Sequence, residues 1–191
     1  MSRLMTVRKH WFPKPYADLV ARLRVPAGFL MLAAFGYFSA PATESLGVGL
    51  PVSLGGLALR AWAAGHLRKN QKLATSGPYS FTRNPLYLGT LITAMGLAMA
   101  ANSVGLGLFF AAMFVLIYLP AIELEEQHLS AILPDYADYA ASVPLLVPSI
   151  PSDLGEDSFS FAQYLKNEEY QALVGWLLAV TWLVARMYLH W

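Results

Sequence analysis

Five long apolar stretches constrain this chain more than any other feature, because each approaches the length of a membrane-spanning helix. Such a helix needs about 20 mostly apolar residues, with a range of about 17–25. The stretches cover residues 26–41, 46–66, 86–101, 104–122 and 170–191, and the first is short. An open strand would leave its backbone groups unpaired in lipid. We therefore predict an all-α integral membrane protein built as a bundle of about five transmembrane helices.

The composition favours a bilayer protein over a soluble one. Apolar residues make up 57% of the 191 residues and charged residues only 13%, against about 25% charged in an ordinary soluble domain. The chain has no Cys, which excludes disulfides and thiol chemistry, and its four His lack metal-ligand spacing, so we expect no metal site. The net charge of +1 gives no indication of nucleic-acid binding.

The distribution of charge predicts an orientation in the membrane. Eleven of the thirteen Lys and Arg precede Pro85, mostly in residues 1–25 and 67–85, whereas the loops at 41–46 and 101–104 carry none. Because cytoplasmic loops are enriched in Lys and Arg, we expect a multi-pass protein with its N-terminus, the 67–85 loop and the acidic 123–169 segment in the cytoplasm.

The length suits a single domain over 1–191, which we divide into four regions. Residues 1–25 are basic with interleaved aromatics, typical of an interfacial segment. Residues 66–148 contain the motifs described below. Residues 149–169 are polar and read as a tether with a short amphipathic helix, and residues 170–191 form a C-terminal transmembrane helix.

The loop from Gly77 to Gly89 is more specific than a membrane connector requires. It contains a Gly-Pro turn, a lone Arg83, and Pro85, which suits the first position of a helix. A cation at this boundary can attract an anion, and backbone N–H groups near the turn can meet a ligand. Interfacial anchoring, with the tyrosines as belt residues, is the alternative for each residue taken singly.

A second motif follows the 104–122 stretch. Adjacent acids at a membrane helix end are costly unless they are solvated or paired, which suggests that Glu125 or Glu126 binds a ligand. Neighbouring helical residues differ by about 100° in direction, so only one of this pair can easily face inward. We also expect Pro120 to kink the helix, while Tyr136 and Tyr139 can cover an apolar group or dock on the membrane.

These two motifs resemble the signatures of the isoprenylcysteine carboxyl methyltransferase family and, more broadly, of membrane phospholipid methyltransferases. The first signature resembles H-x-L-V-x-x-G-x-Y-x-x-x-R-H-P-x-Y, which reads QKLATSGPYSFTRNPLY over residues 71–87. The second resembles E-E-x-x-L, an aromatic-Gly stretch, Y-x-x-Y and V-P, and it corresponds to the segment from Glu125 to Pro144, with Leu133-Pro134 at the aromatic-Gly stretch. The match covers about 66–148.

The resemblance implies that S-adenosylmethionine (SAM) is bound in a cytoplasmic pocket between the two signatures. Arg83 and Glu125 are the catalytic candidates. The cofactor-binding candidates are Gln71, Leu73, Ala74, Gly77, Tyr79, Asn84, Pro85, Leu86, Tyr87, Glu125, Glu126, Tyr136 and Tyr139. Gln71 and Asn84 replace two His of the family pattern, and Ala121 stands where the prenylcysteine enzymes have an Arg linked to substrate recognition.

The expected activity is SAM-dependent methyl transfer to a carboxylate, or similar head group, of a lipophilic, isoprenyl-type acceptor taken from the bilayer lipid. A carboxylate is ionised at pH 7 and needs no general base. Phospholipid or amine N-methylation is an alternative. An NADPH-dependent, sterol-reductase-like protein is another, although the 123–169 segment has only Lys166 to meet a 2′-phosphate. The third alternative is a membrane helix bundle with no enzymatic activity.

Overall fold

The computed structural model describes residues 12–69, 71–151 and 153–189. Residues 1–11, which form much of the predicted interfacial segment, lie outside the described residues, as do 190 and 191. Within the described part the chain forms eight α-helices and no strand. The helices are α1 (Lys14–Phe38), α2 (Thr43–His66), α3 (Pro85–Ala100), α4 (Val104–Met113), α5 (Leu119–Ile132), α6 (Tyr136–Ser142), α7 (Phe161–Lys166) and α8 (Tyr170–Leu189).

The prediction of an all-α membrane protein is confirmed. Three helical segments are long and apolar enough to cross a bilayer. They are Thr43–His66 (α2), Tyr170–Leu189 (α8) and Val104–Ile132, which joins α4 and α5 into one continuous helix. Two shorter apolar helices, Val25–Phe38 and Pro85–Ala100, account for the remaining predicted stretches. α1 differs from the prediction because it begins at Lys14 and passes through Pro26, so the described end of the N-terminal segment continues into this helix.

The outer surfaces of the bundle are apolar. Phe29 and Leu32 on α1 are 70% and 65% exposed, and Leu178 on α8 is 66% exposed. Soluble monomers rarely expose contiguous apolar faces of this kind. Lipid contact explains them, because a bilayer protein gains nothing by hiding such side chains from hydrocarbon.

Small residues bring α2 and α3 into backbone contact. A methyl group added at Gly56 would lie 2.5 Å from the backbone nitrogen of Thr93, and one at Gly96 would lie 2.3 Å from that of Ser53. Close approach through small residues is the usual way in which helices associate in membranes. This packing fixes the end of α2 beside the start of α3.

The helix ends form two distinct faces of the bundle. At one end, the backbone nitrogen of Ala40 donates to the Ala101 carbonyl at 2.9 Å, and the Arg186 Nε donates to the Ser39 carbonyl at 3.2 Å. At the other end lie the end of α2, the start of α3, the end of α5 and the start of α8. We call this second face the pocket end, since all four contribute to one cavity.

The helix that runs from α4 to α5 is interrupted just before Pro120. Residues Phe114–Tyr118 form a wide π-helical turn, an irregularity that is often found at functional sites. Proline has no backbone N–H, so the Leu116 carbonyl cannot receive the bond that a regular helix would give it. The Tyr16 hydroxyl on α1 donates to that carbonyl instead, at 2.6 Å.

Candidate functional site

A cavity of about 770 Å³ opens at the pocket end of the bundle. Most of the residues predicted from the two motifs line it: Leu73, Ala74, Tyr79, Arg83, Asn84, Pro85, Leu86, Tyr87, Glu125, Tyr136 and Tyr139. Gln71, Gly77 and Glu126 do not belong to the lining. Gln71 is exposed, whereas Gly77 and Glu126 are buried behind the wall.

Gly77 shapes the loop that carries the first motif. It begins the 3₁₀ turn Gly77–Ser80 with a φ of 57°, in the left-handed region that favours glycine. A side chain there would also strike His66, because an added Cβ would lie 2.6 Å from its Nε2 atom. The Gly77 nitrogen donates to the Leu154 carbonyl at 2.9 Å. Its role is thus to set the path of the loop.

Hydrogen bonds join the first motif directly to the second. The Tyr139 hydroxyl donates to the Tyr79 carbonyl at 2.8 Å. The backbone nitrogen of Arg83 donates to the Pro144 carbonyl at 2.9 Å, and the Asn84 side chain donates to the Leu145 carbonyl at 3.0 Å. Two sequence segments about 60 residues apart therefore form one rigid wall of the cavity.

Arg83 is held by a buried ion pair. Its Nε lies 2.9 Å from the Glu126 Oε1, and the two side chains are only 5% and 7% exposed. Its Nη1 also donates to the Ala140 carbonyl at 2.7 Å. Because Arg83 is almost completely buried and is engaged by both Glu126 and the Ala140 carbonyl, this geometry suits a residue that positions the wall. A role of Arg83 in orienting an anion stays a prediction.

The neighbouring acid, Glu125, faces the cavity. Its Oε2 accepts a hydrogen bond from the Tyr87 hydroxyl at 2.9 Å, and the Tyr87 ring meets that of Tyr118 edge-on, with the centroids 6.2 Å apart. The two adjacent glutamates thus point in different directions, as helical spacing requires. Of these two glutamates, Glu125 is the one that lines the cavity.

Tyr79 and Tyr139 remain neutral at ordinary pH. Burial raises the pKa of Tyr79 well above its usual value, and the nearby Glu125 carboxylate raises it further. Burial also raises the pKa of Tyr139, although the Arg83 guanidinium partly opposes this change. Both side chains therefore act as neutral aromatic surfaces with hydroxyl groups.

A second charged pair lines the cavity and was not predicted as part of the site. The Arg60 Nε and Nη2 atoms lie 2.6 and 3.0 Å from the two carboxylate oxygens of Glu169. The Arg60 Nη1 donates to the Thr90 hydroxyl and, at 3.4 Å, to the Leu86 carbonyl. The signal in the sequence is Arg60 itself, a charged residue inside the apolar stretch 46–66. Its partner Glu169 lies 109 residues later, so the sequence alone does not pair them.

The segment predicted to be a tether packs against the first motif. Lys72 Nζ lies 2.7 Å from Asp157 Oδ2, and the Ser160 nitrogen donates to the Gly65 carbonyl at 3.0 Å. The Asn167 side chain donates to the carbonyls of Ala64 and Leu67, both at 2.8 Å. Residues 167–172 consequently form one side of the cavity.

Acidic and histidine side chains do not cluster as metal ligands in the part of the chain that the structure describes. Groups of three or more such residues that could hold a metal ion are absent from residues 12–69, 71–151 and 153–189.

The match to a known protein family covers the first motif and the Glu125–Glu126 pair of the second. Residues 52–135 match the model of the phospholipid methyltransferase family. The chain is 27% identical over 144 residues to the protein-S-isoprenylcysteine O-methyltransferase of Schizosaccharomyces pombe, covering 72% of this chain and 61% of that protein.

Two bacterial relatives have higher identity. The chain is 35% identical over 127 residues to the cobalt-zinc-cadmium resistance protein CzcN of Cupriavidus metallidurans, covering 65% of this chain and 58% of that protein. It is 33% identical over 102 residues to the nickel-cobalt-cadmium resistance protein NccN of Alcaligenes xylosoxydans xylosoxydans, covering 52% of this chain and 48% of that protein. The chain thus spans 48% to 61% of the length of these curated relatives. No solved structure shows significant similarity to it.

Proposed function

Since this chain belongs to the membrane methyltransferase family of the phospholipid and isoprenylcysteine type, we propose that it transfers a methyl group from SAM to a lipophilic acceptor. The acceptor group in this proposal is a carboxylate, or a similar head group, on an apolar tail that enters from the bilayer. We further propose that residues 1–191 act as one domain, with the N-terminus and the pocket end in the cytoplasm.

The observation that carries this proposal is the Tyr87–Glu125 pair at the edge of a cavity built from both motifs. The cavity volume of about 770 Å³ lies within the range of about 300–1,000 Å³ that is typical of small-molecule sites. SAM carries a sulfonium and an ammonium group, so a carboxylate that faces the cavity suits it. SAM supplies an electrophilic methyl group when bound.

The residues of the chain have distinct proposed roles. Glu125, oriented by Tyr87, would accept hydrogen bonds from the ribose or ammonium group of the cofactor. Tyr79, Tyr136 and Tyr139 would cover its adenine or apolar parts. The further cofactor-binding candidates are Gln71, Leu73, Ala74, Gly77, Asn84, Pro85, Leu86 and Glu126, of which Gln71, Gly77 and Glu126 would act from outside the lining.

A carboxylate acceptor places few demands on these side chains. It is already ionised at pH 7, so no residue needs to remove a proton. The rate would come from alignment of the acceptor and from exclusion of water. An amine acceptor is the second candidate, and the match to the phospholipid methyltransferase model favours it.

Methyl labelling of membranes tests the proposal. Membranes that contain the protein, and matched membranes without it, are incubated with SAM that carries a tritiated methyl group, and the lipids are extracted. We expect label in the lipid fraction only when the protein is present, and we expect mild alkali to release it as methanol. Label that resists alkali would indicate N-methylation. Absence of protein-dependent label would contradict a lipid methyltransferase.

A further inference from the structure

Arg60, Thr90 and Glu169 form a polar cluster inside the helical bundle, and they bring together α2, α3 and the start of α8. The guanidinium of Arg60 meets both oxygens of Glu169 at 2.6 and 3.0 Å, and its Nη1 reaches Thr90 and the Leu86 carbonyl. All these residues line the cavity. This cluster is separate from the Tyr87–Glu125 pair assigned to the cofactor.

The cluster lies below the polar rim of the cavity. At a rise of 1.5 Å per residue, Arg60 is about 9 Å from the end of α2 at His66, and Thr90 is about 7.5 Å from the start of α3 at Pro85. Ionisable groups at membrane depth are costly and commonly mark a binding or transport site. A lipid acceptor whose tail lies in the bilayer would bring its head group to this depth.

The backbone leaves room for Arg60 at this position. A Cβ added at Gly89 on α3 would lie 2.6 Å from the Arg60 Cγ. The same Cβ would lie 2.7 Å from the Gly56 carbonyl oxygen, so a larger residue at position 89 does not fit this spacing of α2 and α3. The stem of Arg60 therefore runs along α3, where its side chain keeps 24% exposure while Glu169 keeps only 9%.

The hydrogen bonds favour an anion over a cation as the ligand. Both oxygens of Glu169 already accept hydrogen bonds from Arg60, and Glu169 is only 9% exposed against 24% for Arg60, so Arg60 is the more accessible partner for a ligand. A guanidinium has five N–H donors. Four are directed to Glu169, Thr90 and Leu86, which leaves one Nη2 hydrogen without a partner among the described residues.

We propose that Arg60 binds the carboxylate head group of the lipophilic acceptor, and that Glu169 is the positioning residue that holds the guanidinium in place. This inference rests on the proposed methyltransferase function and adds the acceptor subsite to it. Arg60 would contribute a charge-assisted hydrogen bond from within the bundle, and Glu169 keeps the buried guanidinium paired before the acceptor arrives.

The test uses the full chain in vesicles made from the total lipid extract of the expression host. Two quantities are measured for each variant: the apparent KM for lipid in tritiated methyl transfer, and the Kd for SAM by calorimetry. For Arg60→Lys, which keeps the charge but loses the planar fork, we expect the apparent KM for lipid to rise by about ten-fold or more. The Kd for SAM should change less than two-fold.

A charge exchange separates binding from structure. The double variant Arg60→Glu with Glu169→Arg restores an ion pair, so we expect it to regain thermal stability relative to Arg60→Glu alone while methyl transfer stays absent. Arg186→Lys, at the opposite end of the bundle, is the matched control and should behave as the wild type.

Each other outcome overturns a specific statement. Full transfer by the double variant would show that the pair is only structural. A changed Kd for SAM with unchanged KM in Arg60→Lys would assign Arg60 to the cofactor. No transfer by the wild-type protein would overturn the proposed function itself, and this inference with it.

Discussion

Arg83 and Glu126 form a buried ion pair in which the Nε lies 2.9 Å from the Oε1, and it ties the first motif to the helix of the second. Each charge is shielded from water by its surroundings, so each depends on the other. Removal of one partner from a buried pair commonly costs about 3–5 kcal/mol, because the remaining charge is left uncompensated.

Glu126→Gln should therefore destabilise the protein by about 3–5 kcal/mol. The free energy of unfolding, measured by denaturant titration in mixed micelles, checks this expectation. Glu125→Gln is a matched comparison, because it makes the same chemical change one residue away on an exposed side chain. We expect Glu125→Gln to alter stability by less than about 1 kcal/mol. Equal effects of the two changes would contradict the distinction between them.

Pro120→Ala should weaken SAM binding, because Pro120 helps to set the direction in which Glu125 points. Alanine supplies the missing N–H and favours a regular helix, which would remove the wide turn at Phe114–Tyr118. When the wide turn tightens to a regular α-helical turn, the helix after it rotates by about 100°. This rotation would turn Glu125 away from Tyr87. The same rotation would take Glu126 away from Arg83, so we expect a lower Tm together with at least ten-fold weaker SAM binding. Unaltered SAM affinity would indicate that the turn does not position Glu125.

The stability of the protein should depend on tyrosine ionisation only at high pH. The pKa values of Tyr79 and Tyr139 are raised in the folded protein by burial, whereas the unfolded chain has the ordinary value of about 10. Their contribution is complete below pH 10 and is lost as pH rises through the folded values. Each tyrosine then lowers the free energy of unfolding by about 1.4 kcal/mol per pH unit.

Unfolding titrations between pH 9 and 11 measure this dependence. Tyr139→Phe removes one of the two ionising groups, so we expect a shallower decline with pH, in addition to lower stability at pH 7 from loss of the bond to the Tyr79 carbonyl. An identical slope in the variant would show that Tyr139 does not have a raised pKa.

The contact between Lys72 and Asp157 predicts a lowered pKa for the Asp157 carboxyl group at the surface. The hydrogen bond from the Lys72 ammonium lowers the pKa of the Asp157 carboxyl. The stabilisation from this pair is present above the ordinary pKa of an aspartate and is lost as pH falls through the lowered value. Carbon NMR of the Asp157 carboxyl should give a midpoint below the usual range, and Lys72→Met should move it upward. An unmoved midpoint would argue against the contact in solution.

The sequence predicts the helical elements well because their cause is local. Each of the five apolar stretches must satisfy its own backbone in lipid, and all five appear as helices. The sequence also predicts that only one of Glu125 and Glu126 faces inward, but helical spacing does not say which one. Packing decides it, since Arg83 approaches Glu126 from a loop about 40 residues earlier.

Long-range pairs explain what sequence reasoning missed. Arg60 alone suggests a side chain that snorkels to the membrane boundary, and only the fold brings Glu169 to it. Residues 149–169 have the composition of a tether, yet backbone bonds such as Gly77 to the Leu154 carbonyl fasten this segment to the first motif. Backbone contacts of this kind leave no pattern in the side chains.

Calorimetric titration of SAM into the purified protein in lipid nanodiscs tests the central claim most directly. We expect the wild type and the control Arg186→Lys to bind SAM, and we expect Glu125→Gln and Tyr87→Phe to bind it about ten-fold or more weakly, because each loses a charge-assisted hydrogen bond at the cavity. Absence of SAM binding by the wild type, or equal affinity in all four proteins, would contradict a cofactor site at Tyr87 and Glu125.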